Sequence, residues 1–172
     1  MSYTTVKALW PGEKQEDLAE LRNSWGGAPV VWDIISQKYL GKPPHGYMDR
    51  IEELWRLGDS SRLARHHRAL LLMTFDYAYV AKANYAEAAR DIRAFLADFP
   101  PKPGYIDHWP AIAELFESNP DVPAIGFHWT SVSEDPFAGD WDEENDVQLD
   151  PDWTRVWDLY VELNRPCEPV DA

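Results

Sequence analysis

Residues 122–132 read Val-Pro-Ala-Ile-Gly-Phe-His-Trp-Thr-Ser-Val. In an extended chain, successive side chains point to opposite faces. Val122, Ala124, Gly126, His128 and Thr130 then share one face, and Ile125, Phe127 and Trp129 the other. One set is small or polar and the other is bulky and apolar, which predicts a strand. A second short strand is expected from Thr4 to Trp10, stopped by Pro11-Gly12.

The rest of the chain reads as helices. Leu18, Leu21 and Trp25 stand at i, i+3 and i+7 behind a run of acidic residues, so a helix is expected from Glu13 to Trp25. Pro29 suits the first turn of a second helix, with Val31, Ile34, Ile35 and Tyr39 on one side and Gly41 as its stop. A third runs from about Tyr47 to Leu57. The stretch Arg62 to Tyr79 admits either a helix lined by Leu63, Leu70, Leu71 and Phe75 or a buried strand over residues 69–75. We read it as helix through about Thr74, then an irregular or extended piece to Val80. Asn84 is placed to cap a strongly amphipathic helix carrying Tyr85, Ala88, Ala89, Ile92, Phe95, Leu96 and Phe99. Asp107 caps the next, and Asp150-Pro151 opens a last one with Trp153, Val156, Trp157, Tyr160 and Val161. The expected fold is α+β and mainly helical, with about seven helices and a small sheet of two or three strands. It forms one domain over residues 1–165, with an acidic surface loop at 133–150 and a flexible tail at 166–172.

Charge is segregated along the chain. Residues 1–100 carry 13 basic and 13 acidic residues, whereas residues 101–172 carry 3 basic and 17 acidic ones, so the whole net charge of −14 arises there. No cation lies between Lys102 and Arg155. A field of one sign repels nucleic acid and anionic membrane and attracts basic partners. The longest uninterrupted apolar run, Ala69 to Met73, falls far short of a membrane span. One cysteine, Cys167, excludes an intramolecular disulfide, and Met1–Lys7 shows no signal-peptide pattern, so a cytoplasmic protein is expected. Most of the nine Trp residues are expected as buried anchors.

No chemical motif stands out. Asp140, Asp142 and Glu144 alternate as calcium ligands would, but Asn145 and Pro151 occupy the positions where an EF-hand loop needs Gly and Glu. The histidines (His45, His66, His67, His108 and His128) lack zinc-site spacing, and the adjacent His66-His67 are expected to diverge on a helix. There is no GxSxG, GxGxxG or P-loop. Cys167 sits beside Pro166 and Glu168 without a basic partner to activate it. Arg62, Arg65 and Arg68 form a modest stripe, fit to meet the protein's own acidic loop or a second acidic surface. No cofactor and no metal is expected.

The segments Thr74-Phe75-Asp76, Ala78–Val80 and Ala124–Val132 resemble small uncharacterised proteins of bacteria and prophages, over a span from Glu52 to Trp153. The resemblance implies no activity or site residue, only a setting among accessory proteins of genetic conflict. The expected function is therefore an inhibitor of immunity or anti-defence type. Its carboxylates would replace phosphates on a basic groove of a toxin or nucleic-acid-binding protein. The expected docking residues are Glu134, Asp135, Asp140, Asp142, Glu143, Glu144 and Asp146, with Trp129, Trp141 and Trp153 as anchors. A carboxylate- or divalent-metal-assisted hydrolase is the alternative, and an acidic protein whose role leaves no trace in its sequence is a third.

Overall fold

The segment Ala124–His128 does become a strand, and it is the middle one of five. A computed structural model describes residues 2–49 and 51–167. Among them, β1 (Tyr3–Trp10) and β2 (Lys14–Arg22) form an antiparallel hairpin. Helices α1 (Ala28–Leu40), α2 (Ile51–Arg56) and α3 (Arg65–Met73) follow, then β3 (Ala78–Ala81). Next come α4 (Tyr85–Asp98), α5 (Trp109–Ser118) and β4 (Ala124–His128). A short ribbon of β5 (Trp141–Asp142) and β6 (Val147–Gln148), then β7 (Trp157–Asp158) and α6 (Leu159–Leu163), complete the order. The main sheet runs β2-β1-β4-β3-β7, antiparallel except for the parallel β3–β7 edge.

The alternation read in β4 sorts its side chains onto two covered faces. Ile125, Phe127 and Trp129 join Val6 and Val80 in the main core, against α1, α3, α4 and α5. Phe127 stacks on Trp129 at 4.8 Å between ring centroids, and Trp129 meets Trp109 at 5.2 Å. A buried indole must place its N–H. Trp129 Nε1 donates to the Met73 carbonyl at 3.0 Å, and Trp109 Nε1 to that of Gly27 at 3.2 Å. The opposite face, with Leu9 and Ala124, is covered by Phe137 and flanked by Tyr79, Trp153 and Val156.

The sheet is larger than expected, so the fold is α+β without being mainly helical. Five strands replace the expected two or three, and six α-helices are present among the described residues instead of about seven. The largest difference is β2, expected as a helix. Its partner register jumps from Val6↔Ala19 to Lys7↔Asp17, which leaves Leu18 as the extra residue of a bulge. A bulge puts two residues of one strand opposite one of the other. Leu18 and Leu21 therefore both pack on the core although they stand three apart, the spacing that imitates a helical turn. Pro11-Gly12 forms the hairpin turn itself: Gly12 has φ +84°, and Glu13 N–H donates to the Trp10 carbonyl at 2.8 Å.

The remaining differences are local. The third expected helix is a 3-10 turn at Gly46–Met48 followed by the short α2. Arg65–Met73 is helical and Ala78–Ala81 extended, in accord with the reading adopted for Arg62–Val80. Asn84 precedes α4, but its side chain makes no cap bond. The last helix starts at Asp158, whose carboxylate accepts the Tyr160 N–H at 2.9 Å, not at Asp150. Of the nine Trp residues, Trp109 and Trp129 are buried, Trp10, Trp32, Trp55, Trp153 and Trp157 half-buried, and Trp25 and Trp141 exposed. Of the expected tail at 166–172, residues 168–172 lie outside the described set.

Truncating Phe127 to Ala should cost about 3–5 kcal/mol, the range for a buried aromatic. Truncating the exposed Trp25 to Ala should cost about 0.5 kcal/mol or less. Urea unfolding of both variants measures the contrast, and similar losses would contradict the core described above.

Candidate functional site

Most of the expected docking residues lie on one irregular segment that crosses the back of the sheet, and its attachment begins at Lys7. In β1, Lys7 faces away from the helices, 9% exposed at its side chain. Its ammonium pairs with Asp17 at 2.6 Å and Asp135 at 2.7 Å. Asp135 also accepts the Phe137 N–H at 2.9 Å. Phe137, 1% exposed, then lies over Gly126, where a β-carbon would collide with its ring and with Leu9. Glycine is required there for close approach. Further along, Gly139 sits against the carbonyls of Leu149 and Asp150, where again no β-carbon fits.

Burial disfavours both charges of the Lys7–Asp135 pair, but their mutual hydrogen bond and attraction outweigh it. The Lys7 ammonium is held above its ordinary 10.5 and the Asp135 carboxyl below its ordinary 3.8. For Asp135 the unfolded chain binds the proton more tightly. Its stabilisation is thus complete above pH 3.8 and is lost as pH falls through the folded value. For Lys7 the folded chain binds the proton more tightly. That contribution is complete below pH 10.5 and is lost as pH rises through the folded value.

Beyond this pin the chain turns out into solvent as the β5–β6 ribbon. Trp141 pairs with Gln148 and Asp142 with Val147, and Leu149 N–H donates to the Asp140 carbonyl at 2.9 Å. The tip is closed by Asp142, whose carboxylate accepts the N–H groups of Glu144 and Asn145 at 3.0 and 3.1 Å and the Asn145 amide at 2.7 Å. The Asn145 bond foremost holds the Asp142 carboxyl below its ordinary range. Trp141, Val147 and Leu149 are 54%, 47% and 46% exposed. By strand alternation Trp141 projects from one face of the ribbon and Val147 and Leu149 from the other. Asp140, Glu143, Glu144, Asp146 and Asp150 stand exposed among them. Among the described residues, no Lys or Arg forms an ion pair with Glu143, Glu144 or Asp146.

The structure thus divides the ten expected docking residues. Asp140, Trp141, Asp142, Glu143, Glu144 and Asp146 gather on the ribbon. Glu134 is exposed at the base, beside the pin. Asp135 is the pin itself, Trp129 is 6% exposed within the core, and Trp153 is half-buried against the Leu9–Phe137 cluster. The segment is a covering layer with a projecting ribbon, where the sequence predicts a plain loop. Sequence reasoning missed Lys7, Phe137, Val147 and Leu149. Phe137 was detectable as a lone aromatic in an acidic run, and Val147-x-Leu149 as a strand alternation.

Two other polar groupings were mapped differently from the sequence. The arginine stripe does not reach the acidic segment: Arg62 donates to the Tyr39 carbonyl, Arg65 pairs with Glu87 and Asp91, and buried Arg68 donates to the carbonyls of Gly58 and Leu163. His66 and His67, expected to diverge, converge on Asp98 at the end of α4. An open groove of about 520 Å³ between α4 and α5 is lined by Lys82, Tyr85, Arg90, Arg93 and Phe116. Its Arg93 is already engaged by both oxygens of Glu117, at 2.6 Å each. No helix among the described residues is long and apolar enough to cross a membrane. Comparison with protein-family models, curated proteins and solved structures finds no match for this chain.

Phe137→Ala should cost about 3 kcal/mol and speed amide exchange through residues 135–138, while the β1 and β4 amides stay protected. Lys7→Met, which leaves Asp135 half-buried without its partner, should cost about 2 kcal/mol at neutral pH. It should also flatten the loss of stability below pH 3.8, followed by urea unfolding across the acid range.

Proposed function

We propose that this protein is a binding module whose β5–β6 ribbon docks on a cationic groove of a partner protein, a toxin or a nucleic-acid-binding protein, and occludes it. The observation that carries this reading is the exposure of Trp141, and of Val147 and Leu149 on the reverse face, on a ribbon rimmed by Glu143, Glu144 and Asp146. An indole flanked by carboxylates suits a basic surface with an apolar floor. Charge steers the encounter, and the desolvated aromatic holds the complex. The pinned base supports the reading further. A ribbon with a fixed root loses less conformational entropy on binding than a free loop would. The absence of any cation between Lys102 and Arg155 keeps the local field of one sign.

The ribbon also defines which substitutions test the reading. Asp142 closes the turn, so its replacement would confuse folding with docking. The Glu143 and Glu144 side chains are exposed and take no part in the turn, which Glu144 enters only through its backbone N–H. A defined probe, a helical peptide rich in Arg and Leu, should bind the full chain with an affinity that falls steeply with added salt. The double variant Glu143→Lys/Glu144→Lys should weaken it at least tenfold, and Trp141→Ala should weaken it to a similar degree, measured by titration calorimetry. Undiminished binding by both variants would remove the ribbon as the docking surface.

A further inference from the structure

Among the described residues, three metal-ligating side chains converge on the helical side of the sheet, apart from the acidic segment. We propose that His66, His67 and Asp98 bind a divalent first-row transition ion, with zinc as the representative. The two histidines occupy the first turn of α3, and Asp98 ends α4, which packs beside it. Both imidazoles turn Nε2 toward one carboxylate oxygen, Asp98 Oδ2, each at 2.8 Å. Their rings lie 4.3 Å apart between centroids, and the three ligand atoms all fall within 4.8 Å of one another.

Consecutive residues on a helix are about 100° apart around its axis, so such convergence requires a force on the rings. Packing supplies it for His67. That ring is 2% exposed and lies against Phe95 and Phe99 at 5.6 and 5.1 Å between centroids. Its outer nitrogen, Nδ1, is held by the Tyr39 hydroxyl at 2.6 Å. A ligating imidazole is ordinarily fixed in this way, with the second ring nitrogen engaged by an outer partner. His66 and Asp98 are only partly covered, with 26% and 46% of their side chains exposed. They face solvent on the open side of the cluster.

The geometry fits a cation after a small adjustment. With bonds of about 2.0–2.1 Å, neighbouring ligand atoms of a tetrahedral site stand about 3.3 Å apart. The two 2.8 Å separations need to open by about half an ångström, and the two imidazole nitrogens, no more than 4.8 Å apart, need to reach the same spacing. The exposed His66 and Asp98 can supply that movement while His67 stays fixed. Two imidazole nitrogens and one carboxylate favour zinc, cobalt, nickel or copper and disfavour the oxygen-seeking calcium and magnesium. The Lys38 ammonium, 4.9 Å from the Phe99 ring centroid, adds a nearby positive charge and tempers the affinity. Three protein ligands leave at least one coordination position for water or for a group from another molecule.

Calorimetric titration of the full chain with Zn²⁺, joined to visible absorption with Co²⁺, tests the site. One saturable equivalent is expected, with cobalt d–d bands that zinc displaces and excess Mg²⁺ or Ca²⁺ does not. His66→Ala and Asp98→Asn should each weaken zinc at least tenfold, and His66→Gln serves as a second variant that keeps a polar side chain on α3. The ribbon variant Glu143→Lys/Glu144→Lys should bind zinc as the unmodified protein does. Circular dichroism and the unfolding midpoint establish that each variant is folded. Absence of saturable binding at millimolar zinc, or unchanged affinity in folded His66 and Asp98 variants, would overturn the proposal and leave the cluster as a hydrogen-bonded clamp between α3 and α4.

Discussion

Phe127 stacked on Trp129, with the neighbouring Gly126 on the opposite face of the strand, is the arrangement on which the layers depend. The aromatic pair gives α1, α3, α4 and α5 a surface to pack on. The missing side chain of Gly126 lets the Phe137 ring approach closely against the reverse of the same strand. Each face of β4 thus recruits a different kind of cover: regular helices on one side, and on the other an irregular, carboxylate-rich segment held by a single aromatic plug. The strand so enclosed is also the middle of its sheet, with β1 and β3 on either side. The charged anchor, Lys7 between Asp17 and Asp135, is tolerable because the partners of the buried ammonium lie at 2.6 and 2.7 Å.

The acidity of the carboxyl-terminal part has two physical origins. One is local backbone chemistry. Asp107, Asp135, Asp142, Asp152 and Asp158 each accept a hydrogen bond from the N–H two residues ahead, on Trp109, Phe137, Glu144, Thr154 and Tyr160. A short carboxylate does this readily, and it sets turns and helix starts where regular structure is sparse. The other origin is surface charge without such a task, concentrated on the ribbon at Glu143, Glu144 and Asp146. In the docking proposed above, it is this second group that would meet the partner. Its separation from the first narrows a broad electrostatic feature to a stretch of fewer than ten residues.

The histidine cluster belongs to a different part of the molecule and a different chemistry. It joins α1, α3 and α4 through Tyr39, His67 and Asp98, so any ligand there acts on the helical layer and not on the ribbon. The two surfaces are thus separable, the ribbon by its exposed carboxylates and indole, the cluster by its nitrogen donors.

Local features of the sequence were sufficient where a segment's own pattern carried the outcome. The two-faced alternation of β4, the apolar stripe of α4 and the switch from α3 to β3 all follow from residue spacing, because each element buries the face its own sequence marks as apolar. The single sign of charge between Lys102 and Arg155 was equally legible. Tertiary structure alone decided the rest. Leu18 and Leu21 look helical until a bulge against Val6 and Lys7 sets them on the same face of a strand. Trp129 and Trp141 look alike as anchors until one is enclosed by Phe127 and Trp109 and the other is left in solvent. His66 and His67 look divergent until Asp98, 31 residues beyond His67, draws both rings to one oxygen. Spacing reports what a segment does by itself. Pairing register, enclosure and convergence are set by partners distant along the chain.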